Sequence, residues 1–72
     1  MEAFEVIVAS SPDRERLVAE IWFGSIHIAE ISFEGAEPEI VLYARHDEVL
    51  LPLDRFLVAL EDARVKLCEG GN

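Results

Sequence analysis

Apolar residues gather in short runs of imperfect alternation from Phe4 to Arg45 and recur at helical spacing after Pro52. Phe4 to Ala9 (FEVIVA) is rich in β-branched residues and stops at Ser10-Ser11-Pro12-Asp13, so it reads as a strand closed by a turn. Leu17 to Phe23 (LVAEIWF) and Ile26 to Phe33 (IHIAEISF) flank Gly24-Ser25. Glycine at the first central position suits a type II′ hairpin, whose backbone has positive φ there. That turn sets Phe23 opposite Ile26 and Ile21 opposite Ile28 on one face, with Trp22 opposite His27 on the other. After the turn Glu34-Gly35-Ala36-Glu37-Pro38, Glu39 to Arg45 (EIVLYAR) forms a fourth strand.

The helix follows Pro52. Leu53, Phe56, Leu57, Leu60, Ala63 and Leu67 form a stripe at helical spacing. Asp54 near its start and Arg64 and Lys66 near its end suit the helix dipole, and Gly70-Gly71 offers a cap. A competing pattern exists earlier. Ser11-Pro12-Asp13-Arg14-Glu15 resembles a helix start, and Leu17, Val18, Ile21 and Trp22 would then make a helical stripe. A short helical turn near residues 12–16 ahead of a strand is a third arrangement.

The expected fold is therefore α+β: an antiparallel meander of about four strands with one C-terminal helix packed on one face. Residues 1–68 make a single domain, and 69–72 a flexible tail. One helix covers one face of a sheet, and the other ordinarily reads polar. Here Phe4, Val6 and Val8 alternate with Ile7, Ile40 and Leu42 with Val41 and Tyr43, and Val18 and Trp22 with Ile21 and Phe23. Both faces carry large apolar groups, which makes the helix-free face the expected interface.

Composition sharpens that expectation. In 72 residues there is room for one thin core, and domains of this size lean on disulfides, a metal or oligomerisation. Cys68 is the single cysteine, so no intrachain disulfide forms, and His27 and His46 match no structural zinc spacing. Apolar residues nevertheless make up 51% of the chain, more than so small an interior hides. A covering molecule, a protein partner or a second copy in a homodimer, is the remaining support.

Charge limits the kind of partner. Fifteen acids against six bases leave a formal net charge of −9, which opposes direct binding to nucleic acid or anionic membrane. It favours a basic protein partner, and it equally serves solubility. Leu17 to Ala44 carries five acids (Glu20, Glu30, Glu34, Glu37, Glu39) and no Lys or Arg; Arg45 to Leu67 carries five acids against four bases. Glu34, Glu37 and Glu39 bracket one turn and form either an acidic knob for a basic cleft or an ordinary solvated loop. No apolar stretch reaches membrane-spanning length, and the first residues carry no export signal, so the expected location is the cytoplasm.

The chain shows no catalytic apparatus and no cofactor fingerprint. Asp47-Glu48 and Glu61-Asp62 are adjacent in sequence, and adjacent side chains diverge. Arg45-His46-Asp47 reads as a polar turn, with no Ser or Cys nucleophile tied to it. His27 reads as a half-buried strand residue, and Cys68, beside Glu69, as an inert thiol. Among the aromatics, Trp22 and Tyr43 are the residue types that anchor interfaces. The candidate partner-binding set is Trp22, Tyr43, Glu30, Glu34, Glu37 and Glu39.

The run LVAEIWFGS (17–25), with Ala29-Glu30-Ile31-Ser32 and Pro52-Leu53-Asp54-Arg55-Phe56-Leu57-Val58-Ala59-Leu60, resembles a pattern in short acidic bacterial proteins of largely unassigned role. Some of those are similar to small immunity proteins that neutralise a toxin. The resemblance covers about two-thirds of the chain and lies in hairpin and helix scaffolding, so it transfers no functional residue. It implies the hairpin over the helical alternative for 17–33, and a non-enzymatic inhibitor role.

Overall fold

The computed structural model describes residues 3–10, 16–43 and 48–69. They form an antiparallel sheet of β1 (Phe4–Ser10), β2 (Leu17–Phe23), β3 (Ile26–Ser32) and β4 (Glu39–Leu42), in spatial order β1-β2-β3-β4, followed by α1 (Leu53–Glu69). This is the expected α+β meander. The strand β2 excludes a helical stripe over Leu17–Trp22, while the short turn expected at 12–16 falls mostly outside the described residues.

Local chemistry accounts for each boundary. Gly24 has φ of 62° and is the one described residue with positive φ, as a hairpin whose first central residue alone is left-handed requires. Its amide also donates to the Ala3 carbonyl at 3.2 Å, tying the turn to the start of β1. Helix α1 opens on the Pro52 carbonyl, which accepts from the Phe56 amide at 2.9 Å. Asp54 sits in its first turn and Lys66 in its last, and the helix runs through Glu69, one residue into the expected tail. The fourth strand is shorter than expected: it ends at Leu42, the Tyr43 amide still donates to the Ile28 carbonyl at 2.9 Å, and 44–47 lie outside the described residues.

The hairpin register contains a correction. Phe23 pairs with Ile26 and Trp22 with His27 as expected, but Ile21 pairs with Ala29 instead of Ile28. A β-bulge places one extra residue, Ile28, in β3, and two residues there oppose one on β2. Ile28 and Ala29 both enter the core on the helix side. Beyond the bulge, Glu30 faces Glu20 and Ile31 faces Ala19.

The core lies between the sheet and α1. Its centre is made of small residues, Ala19 and Ala29 from the strands and Ala59 and Ala63 from the helix, which let the two layers approach. Ile21 and Leu67 are its largest fully buried side chains, and Phe4, Phe23 and Phe56 close one end as a tilted aromatic cluster. The helix packs on β1, β2 and β3 but not on β4. The buried line is consequently Ala59, Ala63 and Leu67, with Phe56 and Leu60 partly buried beside it. Leu53 and Leu57, expected in that stripe, stay exposed, Leu57 on the flank that faces β4.

Candidate functional site

Two regions stand out. The first follows from the helix stopping short of β4. On the helix side of the sheet, Ile40 pairs with Ile31 and Leu42 with Ala29, so both should lie under a covering layer. They do not: Ile40 is 46% and Leu42 63% exposed. Across the gap, Leu53 and Leu57 are 68% and 52% exposed on the near flank of α1. Between Ile40 and Leu57 runs a cleft of about 340 Å³, also lined by Ile31, Pro38 and Leu60. Glu39 and Glu61 stand at its margin, with Arg64 held by Glu61 through two hydrogen bonds. That pairing holds the Glu61 carboxyl below its ordinary range, through the hydrogen bond from Arg64 first and its charge second.

The second region is the helix-free face, where the register sets Trp22, Glu20 and Val18 of β2 beside His27, Glu30 and Ser32 of β3. Of the apolar groups expected on this face, Ile7, Val41 and Tyr43 are exposed, while others are covered. Val18 is fully buried, and Glu30 and Ser32 are nearly so. The most exposed large apolar side chains instead lie on Leu50 and along the helix, at Leu53 and Val58. Between the exposed aliphatic groups Ile7 and Val41 this face carries a polar and aromatic cluster. The Trp22 and His27 rings stack at 4.7 Å and 5°, and Tyr43 tilts against His27 at 4.7 Å. The Trp22 indole Nε1–H donates to Glu20 Oε1 at 3.1 Å. Glu20, His27 and Glu30 each place a potential ligand atom within 4.8 Å of the others.

Of the residues singled out from the sequence, Trp22, Tyr43 and Glu30 thus meet in this one cluster. Glu34 and Glu37 stand exposed in the turn between β3 and β4, and Glu39 opens β4, also exposed. Glu30, at 7% exposure, is an interior carboxylate and presents little surface to a macromolecule. Sequence reasoning missed Ile40, Leu42, Leu53 and Leu57 as surface groups, because periodicity marks a face without saying how far its cover extends. Glu20 and His27 were missed as neighbours of Glu30. The signal was the doublet Ile28-Ala29, which interrupts strict alternation and puts His27 and Glu30 on one face.

A second cleft, about 670 Å³, runs along the other flank of α1 beside β1. Asp54, Arg55, Asp62 and Lys66 line it with both signs of charge, and Lys66 is paired with Asp62 at 3.1 Å, so it selects for neither sign in a partner. Among the described residues, no helix is long and apolar enough to cross a membrane. No protein-family model matches this chain, and no curated protein or solved structure is significantly similar to it.

Proposed function

We propose that this chain is a small acidic protein-binding domain of the immunity or inhibitor kind, which engages a basic partner through the cleft between α1 and β4. One observation carries the reading: two exposed aliphatic side chains, Ile40 and Leu57, line one cleft, and exposed Leu42 and Leu53 follow along the same strand and the same helix flank. Contiguous apolar surface bordered by charge is the anatomy of a binding site. The Glu61–Arg64 pair at the margin is balanced, so the preference for a cationic partner comes from Glu39 beside it, Glu37 on the adjoining turn and the net charge of −9. An amphipathic basic segment laying its apolar side along Leu57 and Ile40 satisfies both features.

The alternative is a homodimer that covers the same aliphatic groups with those of a second copy. The two readings separate on the double variant Ile40→Glu/Leu57→Glu, whose sites are both exposed. Wild-type protein should sediment as a monomer at micromolar concentration. It should retain from a native extract a basic protein, released by salt, that the double variant fails to retain. A tight wild-type dimer that the variant splits would sink the inhibitor reading and install the dimer. Identical retention by both proteins would remove the cleft from either.

A further inference from the structure

We propose that Glu20, His27 and Glu30 form a binding site for one divalent transition-metal ion of the zinc class. The geometry begins with the register. Glu20 and Glu30 are direct cross-strand partners on β2 and β3, and like charges directly opposite one another destabilise a sheet. Glu30 is 7% exposed and Glu20 is half-buried, so the two carboxylates stand side by side away from bulk solvent. A cation between them would offset their mutual repulsion, and a dipositive ion balances two carboxylates beside an imidazole.

The third group arrives through the bulge. Residues three apart on a regular strand point to opposite faces, yet the extra residue Ile28 turns His27 and Glu30 to the same side. Bulges commonly re-aim a side chain beside a functional site. The His27 ring is then fixed by Trp22 stacked against it and Tyr43 tilted on it. Its Nε2 is shut off from solvent and has no hydrogen-bond partner among the described residues, an arrangement that ordinarily calls for a ligand.

The spacing suits the ion. The three ligand atoms lie within 4.8 Å of one another, and tetrahedral coordination at about 2.0–2.1 Å places donors roughly 3.3 Å apart. Rotation of the two carboxylates about their broad terminal torsions would close that difference. Two carboxylates alone would suit magnesium or calcium; the imidazole shifts preference to zinc, cobalt or nickel. The indole N–H on Glu20 Oε1 orients that carboxylate and leaves its other oxygen for the metal, the office of an outer-shell donor. Three protein ligands leave a fourth position to solvent. Such an ion would clip β2 to β3 and supply the staple that a short chain with one cysteine otherwise lacks.

The test is a cobalt(II) titration of chelator-treated protein, read by visible absorption, with zinc displacement and thermal melting in parallel. One cobalt should bind per chain with ligand-field bands of tetrahedral strength, zinc should displace it and raise the melting temperature, and millimolar magnesium should not compete. His27→Gln and Glu20→Gln should each weaken binding by about 100-fold or more, while Trp22→Phe, which removes the indole donor, should weaken it by about tenfold. His46→Gln and the exposed Glu69→Gln should bind as wild type. Should His27→Gln fail to fold, His46→Gln keeps the question open to decision, because His27 is then the sole imidazole. Absence of stoichiometric binding by wild-type protein at micromolar metal overturns the proposal. So does loss of the bands in His46→Gln, or equal binding by a folded His27→Gln.

Discussion

At the scale of single residues, the domain depends most on side chains that have no freedom left. Ile21 is fully buried between the β2 backbone and α1, and Ile21→Ala should cost about 2–5 kcal/mol, read as a lower urea midpoint at unchanged slope. Ala63, also fully buried, has the opposite vulnerability. Ala63→Leu forces extra volume between helix and sheet and should destabilise by roughly 1–3 kcal/mol in the same assay. The Glu61–Arg64 pair sits at the solvent, so its effect is visible in titration more than in stability. Arg64 depresses the folded-state carboxyl, so the contribution is present above the unfolded value and lost as pH falls through the folded one. Arg64→Gln should move the Glu61 midpoint, followed by carboxyl NMR, back up toward its ordinary value and leave the fold intact.

At the scale of elements, the turn between β2 and β3 gives the sharpest expectation. Gly24 at φ 62° occupies backbone space that a Cβ disfavours, and Gly24→Ala should cost about 1–2 kcal/mol by chemical denaturation. That turn was legible in the sequence because Gly-Ser between two alternating runs has a mechanism behind it. The helix was legible for the same kind of reason, six apolar residues at its period. What could not be read was where each element stops being covered. Leu53 and Leu57 share the periodicity of Phe56 and Leu60, and only the lateral placement of α1 over β1–β3 decides that the first two stay exposed. Likewise Trp22–His27 followed directly from the hairpin, whereas Glu20–Glu30 required recognising the bulge. The polar cluster was therefore half visible: Trp22, Tyr43 and Glu30 by residue type and His27 through the hairpin, but the Glu20–Glu30 pairing only through the shifted register.

At the scale of the whole molecule, the helix is offset from the centre of the sheet, and this leaves two different surfaces. One is the aliphatic cleft toward β4; the other is the cluster on the helix-free face. They lie on opposite faces of the sheet, so changes to one should leave the other intact. Ile40→Glu/Leu57→Glu should keep native far-UV circular dichroism and stability within about 0.5 kcal/mol, since neither side chain belongs to the core. The same variant should bind less of an apolar fluorescent dye than wild type. The acidic surplus acts at this scale too: copies of like charge repel, so added salt should increase any self-association by screening that repulsion.

The single extra residue in β3 also governs which insertions and deletions the chain tolerates. Removing Ile28 would leave Ala29 opposite Ile21 and Glu30 opposite Glu20, so every downstream side chain keeps its side of the sheet. Deleting Ala19 from β2, where no spare residue exists, would invert the parity of the strand on one side of the gap and drive carboxylates inward. A shortened chain lacking Ile28 should thus still fold cooperatively, with a smaller core, while one lacking Ala19 should not fold at all. Length variation in this hairpin is confined to the one position where the reading frame of the pleat has already slipped.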